Sequence, residues 1–481
     1  MPRRVLAYIV LPIVLICSTA IGEIKSQEYV DRGDVKARKG DLEGAIADYT
    51  KAIELDSKCA IAYNGRGLAK VAIVYQSHAS FNEAMQRFEG AIIDYDRAIG
   101  IDPKLAIAYY NRANAKREKR DLDGAMSDYN RTIELDPKNP NAYHHRGNIV
   151  QKKGDLTAAL ADYDQAIKLN PKFAPAYVSR GSIKYQRDDF KGAISDCDRA
   201  ITLDPKLAFA FLCRGNVKAE QRDWKGAIED FNQAIELEPQ NVNAYISRAS
   251  AKHAMGDLDS ARTDCDRAIE LSPNNPQIYF QRGNLNQASG DLSAAIHDYG
   301  RVIEIVPEDP EAYDARAELY VQKERWADAL ADLRKSRDLN SGVRDFSFLQ
   351  IWFVRTQLGE KKAADQELED SFSKRSTTNT WPANWQNARE WPETIAKFLL
   401  GKITEAELLD AVPSPSLGPR GATDETKAAD WRSQAWFYVA AKHLLDGDKQ
   451  TARADFQKCV ATKGAFREQD IAKVELERLD R

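Results

Sequence analysis

The sequence holds little cysteine (6), histidine (6) or methionine (4) in its 481 residues. Beyond Cys17 the cysteines are Cys59, Cys197, Cys213, Cys265 and Cys459, an odd and widely spaced set. That pattern excludes a disulfide framework, and the lack of any C-x-x-C or Cys/His cluster excludes a zinc site. These five thiols read as small buried hydrophobes. No excess of basic charge is present, since the net charge is −4 and the pI near 6.0. A nucleic-acid partner, which selects a basic footprint, is therefore not expected. No Gly-rich phosphate loop, nucleophile elbow or His-Glu-x-x-His string occurs. His144 and His145 are neighbours, but adjacent side chains on a helix diverge, which argues against a shared metal. The expectation is a protein without catalysis, cofactor or metal.

Long apolar runs are confined to the start. Arg3 and Arg4 precede an apolar stretch from Val5 to Cys17, and Ser18-Thr19-Ala20 supplies small residues at a cleavage site, with Gly22 an alternative. Residues 1–22 are thus a signal peptide or, at the lower length limit of about 17 apolar residues for crossing a bilayer, an anchor. A periplasmic or secreted location follows, or an inner-membrane anchor facing the periplasm. Membrane contact is expected only through this segment if it stays uncleaved. The remainder is 43% apolar and 30% charged over the whole chain, ordinary for folded protein. Yet 481 residues exceed one compact core, which stops growing near 250–300 residues.

Self-similarity resolves that. The string AIADYTKAIELDS from Ala45 recurs from Ala91, Ala125, Ala159, Ala193, Ala227, Ala261, Ala295 and Ala329, at a spacing of 34 from Ala91 onward. Upstream of each stands an aromatic-x-x-Arg-small signature, such as Tyr143-His144-His145-Arg146-Gly147. Within a unit, Ala159, Leu160, Tyr163, Ala166 and Ile167 fall at helical spacing, Gly154-Asp155 breaks and restarts a helix, and Pro171 ends the second. Each unit is a helical hairpin whose apolar face is buried only by its neighbours. This period and these landmarks resemble the tetratricopeptide-repeat family. The resemblance implies an all-α, right-handed α-solenoid superhelix of about nine regular and two degenerate hairpins.

The nine regular units span residues 26–343. All contain an arginine before the small residue, namely Arg32, Arg66, Arg112, Arg146, Arg180, Arg214, Arg248, Arg282 and Arg316. All contain an aspartate in the second helix, namely Asp48, Asp94, Asp128, Asp162, Asp196, Asp230, Asp264, Asp298 and Asp332. Equal numbers at a nearly constant offset predict a structural ladder of ion pairs rather than a row of ligand contacts. Unit two, residues 60–105, carries twelve extra residues. Ser80 to Glu83 reads as a capping box, followed by Phe81, Ala84, Met85, Phe88 and Ile92 on one face, so both helices lengthen, the second more. The insert is either plain hairpin growth or a prong for a partner.

Past Val343 the pattern decays. Residues 344–378 fit a degenerate repeat through Phe348, Trp352, Gly359 and Ala364, and 379–432 form a linker with short helices and Trp381, Trp385 and Trp391. Residues 433–481 read as another unit with a polar closing helix at 467–480. WPETIAKFLLGKITEAELLDA and FYVAAKHLLDGDKQTARADFQKCVATKG resemble the C-terminal module of bacterial NlpI-type repeat lipoproteins. That likeness implies an envelope adaptor for proteases or hydrolases, although Ile16 before Cys17 departs from a lipoprotein signal.

In the tetratricopeptide family the first helices line a concave groove. Carried onto this chain, one groove-facing position reads Asp34, Leu68, Asn114, Asn148, Ser182, Asn216, Ser250, Asn284 and Glu318. Around it lie Val178, Tyr185, Phe209, Leu212, Ile246, His253 and Phe280, with Glu220 as the charge in repeats five to eight. The resemblance implies a peptide-binding groove formed by Asn114, Asn148, Ser182, Tyr185, Phe209, Leu212, Asn216, Ile246, Ser250, His253, Phe280 and Asn284, able to bond an extended backbone. It lacks the cations of the carboxylate-clamp members. The expected function is a non-catalytic scaffold binding protein or peptide partners in the bacterial envelope. Alternatives are a regulatory subunit of an exported hydrolase or protease and, more weakly, part of a protein glycosylation system. Self-association is left open.

Overall fold

A computed structural model describes residues 24–76, 80–339, 347–375, 386–412, 424–462 and 467–481. The signal or anchor segment 1–22, Trp381, Trp385 and the loop at 413–421 lie outside these. All regular secondary structure among the described residues is helical. No described helix is long and apolar enough to cross a membrane.

The chain divides into two units, Met1–Pro239 and Gln240–Arg481. Unit 1 contains α1 (24–38), α2 (Leu42–Leu55), α3 (Ala60–Gln76), α4 (Phe81–Ile101), α5 (Ala106–Glu118), α6 (Leu122–Leu135), α7 (Pro140–Lys152), α8 (Leu156–Leu169), α9 (Ala174–Gln186), α10 (Phe190–Leu203), α11 (Ala208–Glu220) and α12 (Trp224–Leu237). Unit 2 continues with α13 (Val242–Ala254), α14 (Leu258–Leu271), α15 (Pro276–Ala288), α16 (Leu292–Ile305), α17 (Pro310–Gln322), α18 (Trp326–Leu339), α19 (Ser347–Gln357) and α20 (Lys361–Arg375). It ends with α21 (Gln386–Leu399), α22 (Glu405–Asp410), α23 (Asp424–Leu445), α24 (Lys449–Ala461) and α25 (Arg467–Leu479). Consecutive helices pack as hairpins, which makes each unit an α-solenoid.

One hairpin shows how the sequence sets the geometry. After α7, Gly154 adopts φ +90°, a left-handed conformation open to glycine. Asp155 then caps α8, its carboxylate accepting from the Ala158 amide at 3.0 Å. The α8 face formed by Ala159, Asp162, Tyr163 and Ala166 is buried. A Cβ placed on Gly147 of α7 would lie 2.7 Å from Cε1 of Tyr163, so the absent side chain is what admits the ring. Gly215 against Phe231 and Gly283 against Tyr299 repeat this fit. In repeat five, Cys197 replaces the ring and the nearest atom to such a Cβ on Gly181 is 3.3 Å away. Gly147→Leu is therefore expected to overpack α7 against α8 and cost about 1–3 kcal/mol, read as a lower urea midpoint, with Gly181→Ala costing less.

The insert in repeat two becomes longer helices. α3 has 17 residues and α4 has 21, against 13 in α5 and 14 in α6. Ser80 and Glu83 form a reciprocal capping box. Ala84 and Phe88 are buried, but Phe81 is 75% exposed and does not join their face. It stands in the first turn of α4, past the end of α3, and the described residues leave it largely open.

The C-terminal part of unit 2 has one continuous core. Trp352, Phe353, Trp391, Phe437, Tyr438 and Phe456 are each at most 1% exposed within it. Trp391 Nε1 donates to Gln434 Oε1 at 3.0 Å and Trp352 Nε1 to Asp365 Oδ1 at 2.8 Å, so both large rings enter the core with their polar edge satisfied. The boundary read at 432/433 falls inside α23, which begins at Asp424. α25 is not uniformly polar, for Ile471 and Ala472 are buried against the core. Cys197, Cys213, Cys265 and Cys459 are buried free thiols.

Candidate functional site

The ladder residues meet inside each repeat. Arg146 Nε donates to Asp162 Oδ2 at 2.9 Å and Nη2 to Oδ1 at 2.6 Å, a two-point fork. The same fork joins Arg112 to Asp128, Arg180 to Asp196, Arg214 to Asp230, Arg248 to Asp264 and Arg282 to Asp298. Arg32 with Asp48, Arg66 with Asp94 and Arg316 with Asp332 complete the series. The guanidinium of Arg146 also sits 5.5 Å from the centre of the Tyr143 ring.

A third contact was not legible in the repeat pattern. Nη1 reaches back to the preceding repeat, from Arg112 to Asp96 at 2.6 Å, Arg146 to Asn130 at 2.9 Å, Arg180 to Asp164 at 2.8 Å and Arg214 to Asp198 at 2.6 Å. Each of these four arginines thus ties its own hairpin shut and stitches it to its predecessor. Four residues after the arginine, Lys116, Lys184, Lys218 and Lys252 each reach the ladder aspartate at 2.8 Å. These charges are consumed in structure and are not offered to a ligand.

The candidate groove residues gather in two open cavities, one in each unit. That in unit 1 measures about 650 Å³ and includes Asn148, Ser182 and Phe209. That in unit 2 measures about 440 Å³ and includes Ile246, Ser250, Phe280 and Asn284. Asn114, Tyr185, Leu212, Asn216 and His253 line neither. Leu212 is 5% exposed and packs inside the repeat, which corrects its placement in the groove. The Tyr185 hydroxyl donates to Glu220 at 3.2 Å.

The asparagines have a prior task. The hydroxyl of Tyr129 donates to Asn114 Oδ1 at 2.5 Å, that of Tyr163 is shared between Asn148 Oδ1 and Gln151 Oε1, each at 2.8 Å, and that of Tyr299 between Asn284 Oδ1 at 2.8 Å and Gln287 Oε1 at 3.0 Å. Holding the oxygen orients the amide and leaves its N–H groups as donors. A signal for this lay in the sequence at an offset of 15 residues. Where the tyrosine becomes Cys197 or Cys265, the groove residue is Ser182 or Ser250.

The cavities also take in charges outside the groove positions read in repeats five to eight. Arg117 and Lys152 line the unit 1 cavity, and Asp309 and Glu311 line that of unit 2. They escaped notice because they occupy the last turn of one first helix or the opening of the next. Apolar residues share these linings, with Pro175, Val178, Leu207 and Phe209 in unit 1 and Ile246, Pro276 and Phe280 in unit 2.

His144 and His145 do not diverge as sequence spacing implied. Their ring centres are 5.2 Å apart. His145 stacks on Tyr129 at 5.8 Å and receives Arg117 Nη1 at 3.0 Å on Nδ1. His144 lies edge-on to Phe173 at 5.2 Å, with Nε2 at 3.1 Å from Ser179 Oγ. Burial, then the Arg117 charge, lowers His144 to about 4. Burial, Arg117 and His144 in that order lower His145 to about 3. Both rings are neutral at physiological pH. Among the described residues, no group of three His, Cys, Asp or Glu side chains could hold a metal ion.

Profiles described as TPR repeat match residues 33–73, 113–154, 215–256 and 249–290. Profiles described as tetratricopeptide repeat match 72–105, 140–173, 174–207 and 279–343. Together they cover 33–105, 113–207 and 215–343, more than half of the chain. The chain belongs to the tetratricopeptide-repeat family. Among solved structures, it is similar to a tetratricopeptide repeat protein from Parabacteroides merdae at 19% identity over 55% of this chain and 99% of that one, with a TM-score of 0.43. It is similar to YrrB, described as a TPR protein with an unusual peptide-binding site, at 23% identity over 43% and 97%, with a TM-score of 0.33. MamA is 28% identical over 34% and 94%, with a TM-score of 0.29. The tetratricopeptide repeat is in general a non-catalytic protein-interaction scaffold.

Proposed function

We propose that this tetratricopeptide-repeat protein is an envelope adaptor that captures extended peptide segments of its partners, using the cavities of units 1 and 2. The observation that carries the reading is the unit 1 cavity. It brings the amides and hydroxyls of Asn148, Gln151, Ser179, Ser182 and Gln186 together with apolar side chains that include Phe209, 49% exposed. Amides bond a peptide backbone without regard to sequence, and the apolar lining takes alternate side chains. The Asn148 donors are oriented in advance by Tyr163, which reduces the ordering that binding demands. The envelope location rests on the basic-then-apolar segment at residues 3–22.

Phe209 is the residue to alter, since its exposure frees it from the core. Phe209→Glu is expected to keep the helical content and reduce partner capture from a periplasmic extract at least about tenfold, as a charge replaces an exposed apolar anchor. Undiminished capture by the variant would remove the site. Recovery of the endogenous chain from cytosol alone would remove the location.

A further inference from the structure

We propose that the two cavities select peptides of opposite charge, unit 1 an apolar segment bearing carboxylates and unit 2 an apolar segment bearing cations. The inference rests on the peptide-capture reading and assigns each cavity its ligand class. In unit 1 the ionic lining residues are Arg117 and Lys152, both cationic. Arg117 is partly compensated by Glu118 at 2.7 Å. Lys152 forms no ion pair among the described residues and is exposed at the end of α7. The histidine in this lining, His144, is held neutral by burial and neither adds to nor offsets that charge. In unit 2 the ionic lining residues are Asp309 and Glu311, both anionic. Asp309 caps α17 through the amides of Glu311 at 3.0 Å and Ala312 at 3.3 Å. Glu311 is exposed and forms no ion pair among the described residues.

The apolar halves of the two sites are alike, each presenting a proline and a phenylalanine, so they cannot separate two ligands. The ionic halves differ in sign, and sign is what distinguishes otherwise similar partners in a wet, partly open site. An adaptor built this way holds two chemically different segments on one chain, each refused by the other cavity.

The test uses the full chain and three fluorescent peptides with the same apolar residues around a central Asp-Glu, Lys-Arg or Asn-Gln pair. Anisotropy titrations are run at low salt and at about 0.15 M, where screening over about 8 Å weakens only the ionic part. Lys152→Glu is expected to weaken the acidic peptide about five- to tenfold and leave the basic one unchanged. Glu311→Lys is expected to do the reverse. Equal binding of all three peptides, or either substitution acting alike on both charged peptides, overturns the proposal while sparing peptide capture itself. Failure of all three, the neutral one included, removes both.

Discussion

Replacing Asp162 with alanine is expected to destabilise unit 1 by about 2–4 kcal/mol, measured by urea unfolding followed by circular dichroism. Removing one partner of a buried ion pair leaves the other charge unsatisfied, a loss of about 3–5 kcal/mol in full burial. The lower figure applies because the Arg146 side chain retains 26% exposure while that of Asp162 has 8%. Arg146 would keep its contacts with Asn130 and Tyr143, but its two strongest bonds would vanish. The double variant Arg146→Ala, Asp162→Ala should cost less than the sum of the single changes, since the second removes a charge already stranded. Strict additivity would show that the fork contributes no coupling. Unfolding of a repeat array loses cooperativity readily, so the loss should concentrate in amide exchange of α7 to α9 rather than across the whole chain.

Acidification supplies the other large effect. His144 and His145 are lowered to about 4 and about 3 in the folded chain, first by burial and then by Arg117. Unfolded, each titrates near 6.5. Between these values the unfolded chain binds protons that the folded chain refuses, so stability rises with pH in that window. The contribution is complete above about 6.5 and is lost as pH falls toward 4 and 3. From pH 7 to pH 5 each histidine contributes a loss of about 2 kcal/mol, and because the rings touch, the pair need not contribute twice that. Asp48, hydrogen-bonded by Arg32 against the opposing effect of burial, is held at about 2, whereas burial raises Glu475 in unit 2, so the histidine part is read from the difference between wild type and a variant that lacks both rings. The thermal midpoint of wild type should fall from pH 7 to pH 5, while that of the double variant His144→Phe, His145→Ser, residue types that Phe280 and Ser179 already supply at these repeat positions, should fall less steeply. A variant with the same slope as wild type would place the titration elsewhere.

Much of the fold was legible because a repeat compares a sequence with itself. Nine copies of one arginine and one aspartate at nearly constant offset identify a pair without any alignment, and small residues facing aromatic ones identify a close helix contact. The candidate site was legible only in part. Asn148, Ser182 and Phe209 were named from their repeat positions and line the unit 1 cavity, whereas Leu212, named in the same way, is packed away. Helical periodicity gives the direction of a side chain from its own axis. It does not say how far the neighbouring helix reaches over it, and that distance decides exposure. The same gap misplaced Phe81, whose apolar character fitted a buried face that begins one turn later, at Ala84.

By itself the sequence determined the helical hairpin, its period, its caps at residues such as Asp155 and the identity of the ladder pairs, because these depend on contacts within one repeat. Tertiary structure alone decided the rest. It joined Arg146 to Asn130, stacked His145 on Tyr129, and gathered Arg117, Lys152 and Phe209 round one cavity. Those arrangements bring together residues of different repeats, and their geometry follows from the small rotation between stacked hairpins, a quantity that no single repeat contains.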